Sequence, residues 1–319
     1  MPVNSATAAG RTEANAAAST TPGLINTAAF IKNPQLTKIA AGTAPSVSKG
    51  GPKTEHVKTV QLALFSLGIL ETRSGVDGSF GPKTETALKA FQAKAGISQT
   101  GQIDSATVRA LDNAALAQIT ELKRATLPVG SRRDKYKLIA DISDSGDTRL
   151  YVMGPLDKIE ARYLISPGTA RYPTLGDGFV ITEVLPRQPW NPPASDWARN
   201  ARQIPAGLDN PMGILKLNLG RYSQYVHGVP FFEEDDLGRA ASHGCVRMSG
   251  SNILEAHEKW AEAGTHVSIN RDREISAELQ TKFDATGLSD RPVDAGRQYL
   301  FGYVSGELGT VQRYTAPRA

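Results

Sequence analysis

Residues 241–249 read ASHGCVRMS and carry the single cysteine of the 319-residue chain, Cys245. His243 stands two residues before it and Arg247 two after. One cysteine cannot close an internal disulfide, so it is either a small buried hydrophobe or a reactive thiol. A second histidine, His227, lies upstream in the stretch YVHGV and is followed by Gly228. A thiol near imidazoles suits nucleophilic catalysis, because the thiolate attacks and a histidine can take its proton. The same residues admit a zinc reading, with His227, His243 and Cys245 as ligands. No fourth ligand is signalled, and neither Cys-x-x-Cys nor His-Glu-x-x-His occurs, so no metal site is expected.

Working outward, the composition is that of an ordinary globular protein. Hydrophobic residues make up 40% and charged residues 21%, with a formal net charge of +4. No Lys/Arg run marks a nucleic-acid partner, and no apolar run reaches the length of a membrane span. The first residues, MPVNSATAAGRTEANAAAST, have no apolar core after a basic start and do not read as a signal peptide. Residues 1–52 are rich in Ala, Thr, Ser and Gly and are expected to be loose chain, a delivery segment or linker, with LINTAAFI as a short helix.

Helical periodicity then sets in. Val57, Val60, Leu64 and Leu67 share one face and Gly68 ends the run. Pro82 opens a second helix with Ala87, Leu88 and Phe91 on one face and Gly96 at its C-terminal cap. Asp104 caps a third, carrying Val108 and Leu111, and AALAQITELKRA leads out of it. From about Tyr136 the period shortens to two. YKLIADIS, TRLYVMG, ARYLISPG, GFVITEVL, GILKLNL, YVHGV and THVSIN read as strands separated by Gly, Asp and Pro. One helix interrupts them, with Asn252 and Glu255 spaced as a capping box and Ile253, Leu254, His257, Trp260 and Ala261 on one face. In the tail, RQYLFGYVSG reads as a strand. His56 starts a helix and His266 sits in a strand, so neither is given a catalytic role.

Two resemblances emerge. VKTVQLALFSLGIL, DGSFGPKTETALKAFQAKAGI and TGQID, taken in order, resemble the peptidoglycan-binding type 1 domain, with Asp77, Phe80 and Gln92 at characteristic positions, and the resemblance implies binding of peptidoglycan glycan or stem peptide in a shallow groove. His227-Gly228 followed by Ser242-His243-Gly244-Cys245-Val246-Arg247, with WNPP from Trp190 and NPMGILKLNL upstream, resembles the L,D-transpeptidase (YkuD-type) catalytic domain. These resemblances imply a multidomain chain: a small three-helix peptidoglycan-binding module plus a mainly-β YkuD-like catalytic domain, a β-sandwich or barrel with one main helix. The expected division is 1–52 loose segment, 53–113 binding module, 114–134 helical linker, 135–271 catalytic domain and 272–319 C-terminal extension.

The second resemblance also implies a chemistry. Cys245 is the nucleophile and His227 the base, its ring oriented by the backbone carbonyl of Gly228. The amides of His243, Gly244 and Cys245 hold the oxyanion. Arg247 takes a substrate carboxylate or serves only as a salt-bridge partner. Ser242, Tyr225 and Trp190 are candidate substrate-binding residues, although Tyr222 and Tyr225 equally suit sheet packing. The implied donor is a peptidoglycan tetrapeptide stem, cut between diaminopimelate and D-alanine. The acceptor is a stem-peptide amine or D-amino acid, giving transfer, or water, giving L,D-carboxypeptidase activity. No cofactor is implied, and carbapenems are expected to acylate Cys245. The implied location is the cell envelope, periplasm or exterior. Two other readings stand beside it: an exported antibacterial effector or phage protein with this chemistry, having secretion machinery or an immunity protein as partner, and an inactive wall-binding scaffold.

Overall fold

The computed structural model describes residues 25–143 and 148–316. The first 24 residues, within the segment expected to be loose, lie outside the described residues. Helices α1 (Ala28–Ile31) and α2 (Pro34–Ala40) precede α3 (Glu55–Ser66), α4 (Pro82–Lys94) and α5 (Ser105–Ala125). Phe30, Leu36 and Ile39 are fully buried, which corrects the expectation of loose chain up to residue 52. These apolar residues are too few to show a period, yet each finds a partner. Phe30 meets Phe301 with ring centroids 5.7 Å apart, and α2 packs on α5.

The caps of the next helices follow from their sequence. The Thr54 side chain accepts from the Val57 amide, Pro82 opens α4, and Asp104 accepts from the Thr107 amide. The third helix and the expected linker helix are one element, because α5 runs unbroken for 21 residues. Two glutamines tie the intervening turns. Gln61 accepts from Gly78 N at 2.7 Å and donates to Ser79 O and Thr84 Oγ1. Gln92 repeats the pattern one helix later, accepting from Gly101 N at 2.8 Å and donating to Gln102 O and Thr107 Oγ1. Gln92 is therefore a fully buried turn anchor and Phe80 a core side chain, and neither is placed to touch a ligand. Asp77 is exposed, with Oδ1 held by the Ser79 amide.

The β half contains β1 (Lys137–Asp141), β2 (Arg149–Met153), β3 (Ile159–Leu164), β4 (Gly178–Val180), β5 (Glu183–Pro186), β6 (Leu215–Asn218), β7 (Tyr225–Val229), β8 (Val246–Ser249), β9 (His266–Asn270) and β10 (Gln312–Arg313). They form two five-stranded sheets, ordered β3-β2-β1-β9-β4 and β10-β5-β6-β7-β8. Inward residues of both, among them Leu138, Val152, Val267, Leu217, Val226 and Met248, are buried in one core. Helix α6 (Asn252–Lys259) connects β8 to β9, and α7 (Arg273–Asp284) and α8 (Arg297–Ser305) follow.

Three sequence readings are corrected here. GFVITEVL is two strands in different sheets. The chain changes sheet at Ile181-Thr182, where Ile181 N bonds Thr265 O and Thr182 N bonds Asn218 O. RQYLFGYVSG forms helix α8 instead of a strand. Its aromatic residues suit a strand locally, but burial against α3 and α5 decides. The capping box of α6 does not form, because the Glu255 carboxylate is taken by Arg291 and Lys259. Through α8, the helical module and the β half share one continuous core.

Candidate active site

Strands β7 and β8 run parallel, with His227 opposite Arg247 and Val226 opposite Val246. Strand alternation sends Val226, Val246 and Met248 into the core. The opposite face takes Tyr225, His227 and Arg247. Continuing the register back one residue sets Cys245 against Tyr225 on that face. Lys216 of β6, opposite His227, completes the group. The edge of this sheet thus gathers a thiol, an imidazole, a phenol and two cations on one side.

His227 is only 2% exposed, and its Nδ1 lies 2.7 Å from Gly228 O. That contact assigns the proton to Nδ1 and leaves the Nε2 lone pair free to accept one. Gly228 is required by close packing: a Cβ there would stand 2.9 Å from Ile253 Cγ2 and 3.2 Å from Gly250 Cα. Burial drives the imidazole pKa down to about 3, the Gly228 hydrogen bond opposes the fall, and the Arg247 and Lys216 charges add to it. Burial also pushes the Cys245 thiol up, opposed by a backbone hydrogen bond from Tyr225 and by the same two cations. Burial thus favours the neutral form of both groups, a thiol and an imidazole on the same sheet face.

The turn before Cys245 is built by Ser242. Its hydroxyl donates to Cys245 O at 2.6 Å and accepts from Gly244 N at 3.1 Å, while its side chain is buried. Ser242 is therefore a turn anchor and not a substrate contact. The Gly244 amide is already used, which removes it from the expected oxyanion donors. Gly244 itself has φ +113°, a backbone conformation that favours glycine.

His243 lies in a row of rings. Trp197 stacks on it at 4.1 Å and 23°, and Tyr172 stands 4.8 Å away. Trp190 reaches this row only through Trp197, at 6.4 Å. Its backbone pairs with Ile204 and closes the loop that carries Trp197. Arg247 Nη1 is 3.6 Å from Glu233 Oε2, and Lys216 Nζ is 5.0 Å from the Tyr225 ring centre. Sequence reading omitted Lys216, Trp197, Tyr172 and Glu233. Lys216 had a signal, being the polar position in the alternation of GILKLNL; the others come from loops with no period. Among the described residues, no group of three His, Cys, Asp or Glu side chains could hold a metal ion.

Comparison with known proteins adds to this geometry. Residues 135–269 match the family model of the L,D-transpeptidase catalytic domain, and residues 53–111 match that of a peptidoglycan binding domain. Residues 135–269, most of the β half, are thus similar to an L,D-transpeptidase catalytic domain. A segment of 66 residues, 21% of this chain and 20% of the relative, is 39% identical to Probable L,D-transpeptidase YbiS of Escherichia coli (strain K12). A segment of 144 residues, 41% of this chain and 44% of the relative, is 31% identical to Probable L,D-transpeptidase YcfS of the same strain. The chain thus spans less than half the length of either. Among solved structures, an L,D-transpeptidase from Mycobacterium smegmatis is similar at 18% identity and a TM-score of 0.34, over 43% of this chain and 58% of that one. The two matched domains imply a location at the cell wall. Among the described residues, no helix is long and apolar enough to cross a membrane.

Proposed function

We propose that the chain is a cysteine-dependent L,D-transpeptidase acting on peptidoglycan tetrapeptide stems. The observation that supports this reading is the shared face of β7 and β8, which carries Cys245 and, two positions along the neighbouring strand, an imidazole whose Nδ1 is anchored on Gly228 O. Substrate binding brings the stem carbonyl between diaminopimelate and D-alanine to the sulfur. Nε2 of His227 takes the thiol proton as sulfur attacks, so the ion pair forms only along the reaction. The tetrahedral oxyanion is held by the amides of His243 and Cys245, Gly244 N being occupied. On collapse the C–N bond breaks, and the imidazolium returns its proton to the leaving D-alanine amine. The thioester then passes to an amine or to water, with His227 again the base.

Arg247 and Lys216 put two positive charges on this face, suited to the carboxylates of the stem. In the free protein Arg247 rests on Glu233, and substrate exchanges one carboxylate for another. Carbapenems acylate the same sulfur. The test is incubation with disaccharide-tetrapeptide, read by mass spectrometry. Wild type yields tripeptide or D-amino-acid-exchanged stems and Cys245→Ala yields none; unchanged substrate with folded wild type contradicts the reading.

A further inference from the structure

His227 sits in the middle of a row that crosses three strands. Lys216 of β6 is opposite it on one side and Arg247 of β8 on the other, and all three side chains leave the same sheet face. Neighbouring strands lie about 5 Å apart, so each cation starts one strand away from the imidazole. The next row holds Asn218, Tyr225 and, by continuation of the register, Cys245. Lys216 Nζ lies 5.0 Å from the centre of the Tyr225 ring, so the ammonium leans from its own row toward that of the thiol.

The two cations differ in one respect. Arg247 Nη1 has Glu233 Oε2 at 3.6 Å. Lys216 is half-buried, and among the described residues no carboxylate pairs with it. Glu183, whose charge reaches Lys216, is held instead by Asn218 Nδ2 at 2.9 Å and Arg313 Nε at 3.2 Å. A half-buried ammonium without a counter-ion is unfavourable, and burial lowers its pKa. Perturbed charges of this kind cluster at sites where an opposite charge binds or reacts. We propose that Lys216 sets acceptor specificity: its ammonium takes a carboxylate borne by the same carbon as the reacting amine, so the thioester passes to α-amino acid units in preference to carboxylate-free amines or water. The inference rests on the transpeptidase reading and names its acceptor.

The role of His227 fixes where that carboxylate lies. In the first half-reaction Nε2 returns its proton to the leaving nitrogen of D-alanine, so this nitrogen lies against His227. The carboxyl carbon of an α-amino acid is about 2.5 Å from its nitrogen. The D-alanine carboxylate therefore falls beside His227, within reach of the four-carbon stem of Lys216 on the adjacent strand. The second half-reaction runs the same path backwards. An acceptor amine enters where D-alanine left, forms the new C–N bond as the C–S bond breaks, and gives its proton through Nε2 to the sulfur. The ammonium that held the departing carboxylate then holds the arriving one. A free D-amino acid brings this carboxylate, and so does the D-centre of diaminopimelate. A lysine side-chain amine, an amino acid amide and water do not.

The probes are D-methionine and D-methioninamide, offered separately to the full chain with disaccharide-tetrapeptide and read by mass spectrometry as exchanged stems. Wild type has a KM for D-methionine at least about tenfold below that for the amide, because a charge-assisted contact is lost with the carboxylate. Lys216→Met brings the two KM values together and raises the share of hydrolysed tripeptide, whereas Lys216→Arg keeps the wild-type order. Lys216→Met also removes an unpaired charge at similar volume, so its melting temperature is at or above that of wild type. Equal KM values in wild type, or the wild-type ratio in Lys216→Met, overturn the inference while the transpeptidase reading stands. A lower melting temperature for Lys216→Met shows that the ammonium has a stabilising partner and overturns the premise. No exchanged or hydrolysed stem from folded wild type with either probe sinks the transpeptidase reading and the inference with it.

Discussion

Cys245 and His227 are shifted in opposite directions by the same cause. Burial favours the neutral form of each, so the free protein holds little thiolate near pH 6. Alkylation of Cys245 by iodoacetamide therefore rises through the alkaline range with no plateau near pH 5–6; such a plateau would mean a standing thiolate–imidazolium pair. The imidazole also links folding to pH. Its folded pKa lies below the unfolded value of about 6.5, so its contribution to stability is complete above that value and is lost as pH falls toward 3. Denaturant melts of His227→Gln should lose less stability than wild type between pH 6.5 and pH 4, by on the order of 2–3 kcal/mol. Equal losses would contradict the assigned burial. Ser242→Ala orphans Gly244 N and Cys245 O, at a cost of about 1–3 kcal/mol. Because the displaced turn carries the nucleophile, turnover should fall up to about 100-fold. A fall in substrate affinity alone would restore Ser242 as a substrate contact.

At the scale of elements, the sequence was most legible where a local signal and the final packing agree. Pro82 and Asp104 mark helix starts without help from elsewhere, and period-two runs mark β1, β2, β3, β6, β7 and β9. It was least legible where a distant partner decides. The corner at Ile181-Thr182 depends on β6 and on Thr265, and α8 depends on α3 and α5, far earlier in the chain. In the candidate site, the resemblance pointed to His227 and Cys245, and strand alternation puts both on one sheet face. The roles of Ser242, Gln92 and Phe80 were not, because a polar or aromatic residue looks alike in sequence whether it faces a ligand or ties a turn. Helix α8 gives a direct check. Phe301 is 1% exposed against Phe30, so Phe301→Ala should cost about 3–5 kcal/mol. Urea unfolding should then resolve the helical module from the β half as separate transitions. A single unshifted transition would show that α8 does not join them.

At the scale of the molecule, the helical module is no loose tether. It shares a core with the catalytic domain and meets it again through Arg73 and Glu234. Arg73→Gln leaves the Glu234 carboxylate buried without its cation, a change that typically costs about 3–5 kcal/mol. The melting temperature should drop accordingly, and an unchanged value would mean that the pair is broken in solution. The residue before Glu234, Glu233, lies 3.6 Å from Arg247, so the turn docked on the module also touches the face that carries Cys245 and His227. The most direct measurement of the central claim is the intact mass of the protein after brief exposure to disaccharide-tetrapeptide. Wild type should gain the tripeptide acyl group on Cys245 with release of one D-alanine, while folded His227→Gln should gain it at least 100-fold more slowly. Acylation of His227→Gln at the wild-type rate, or no mass gain on Cys245 in the wild type, would contradict the account.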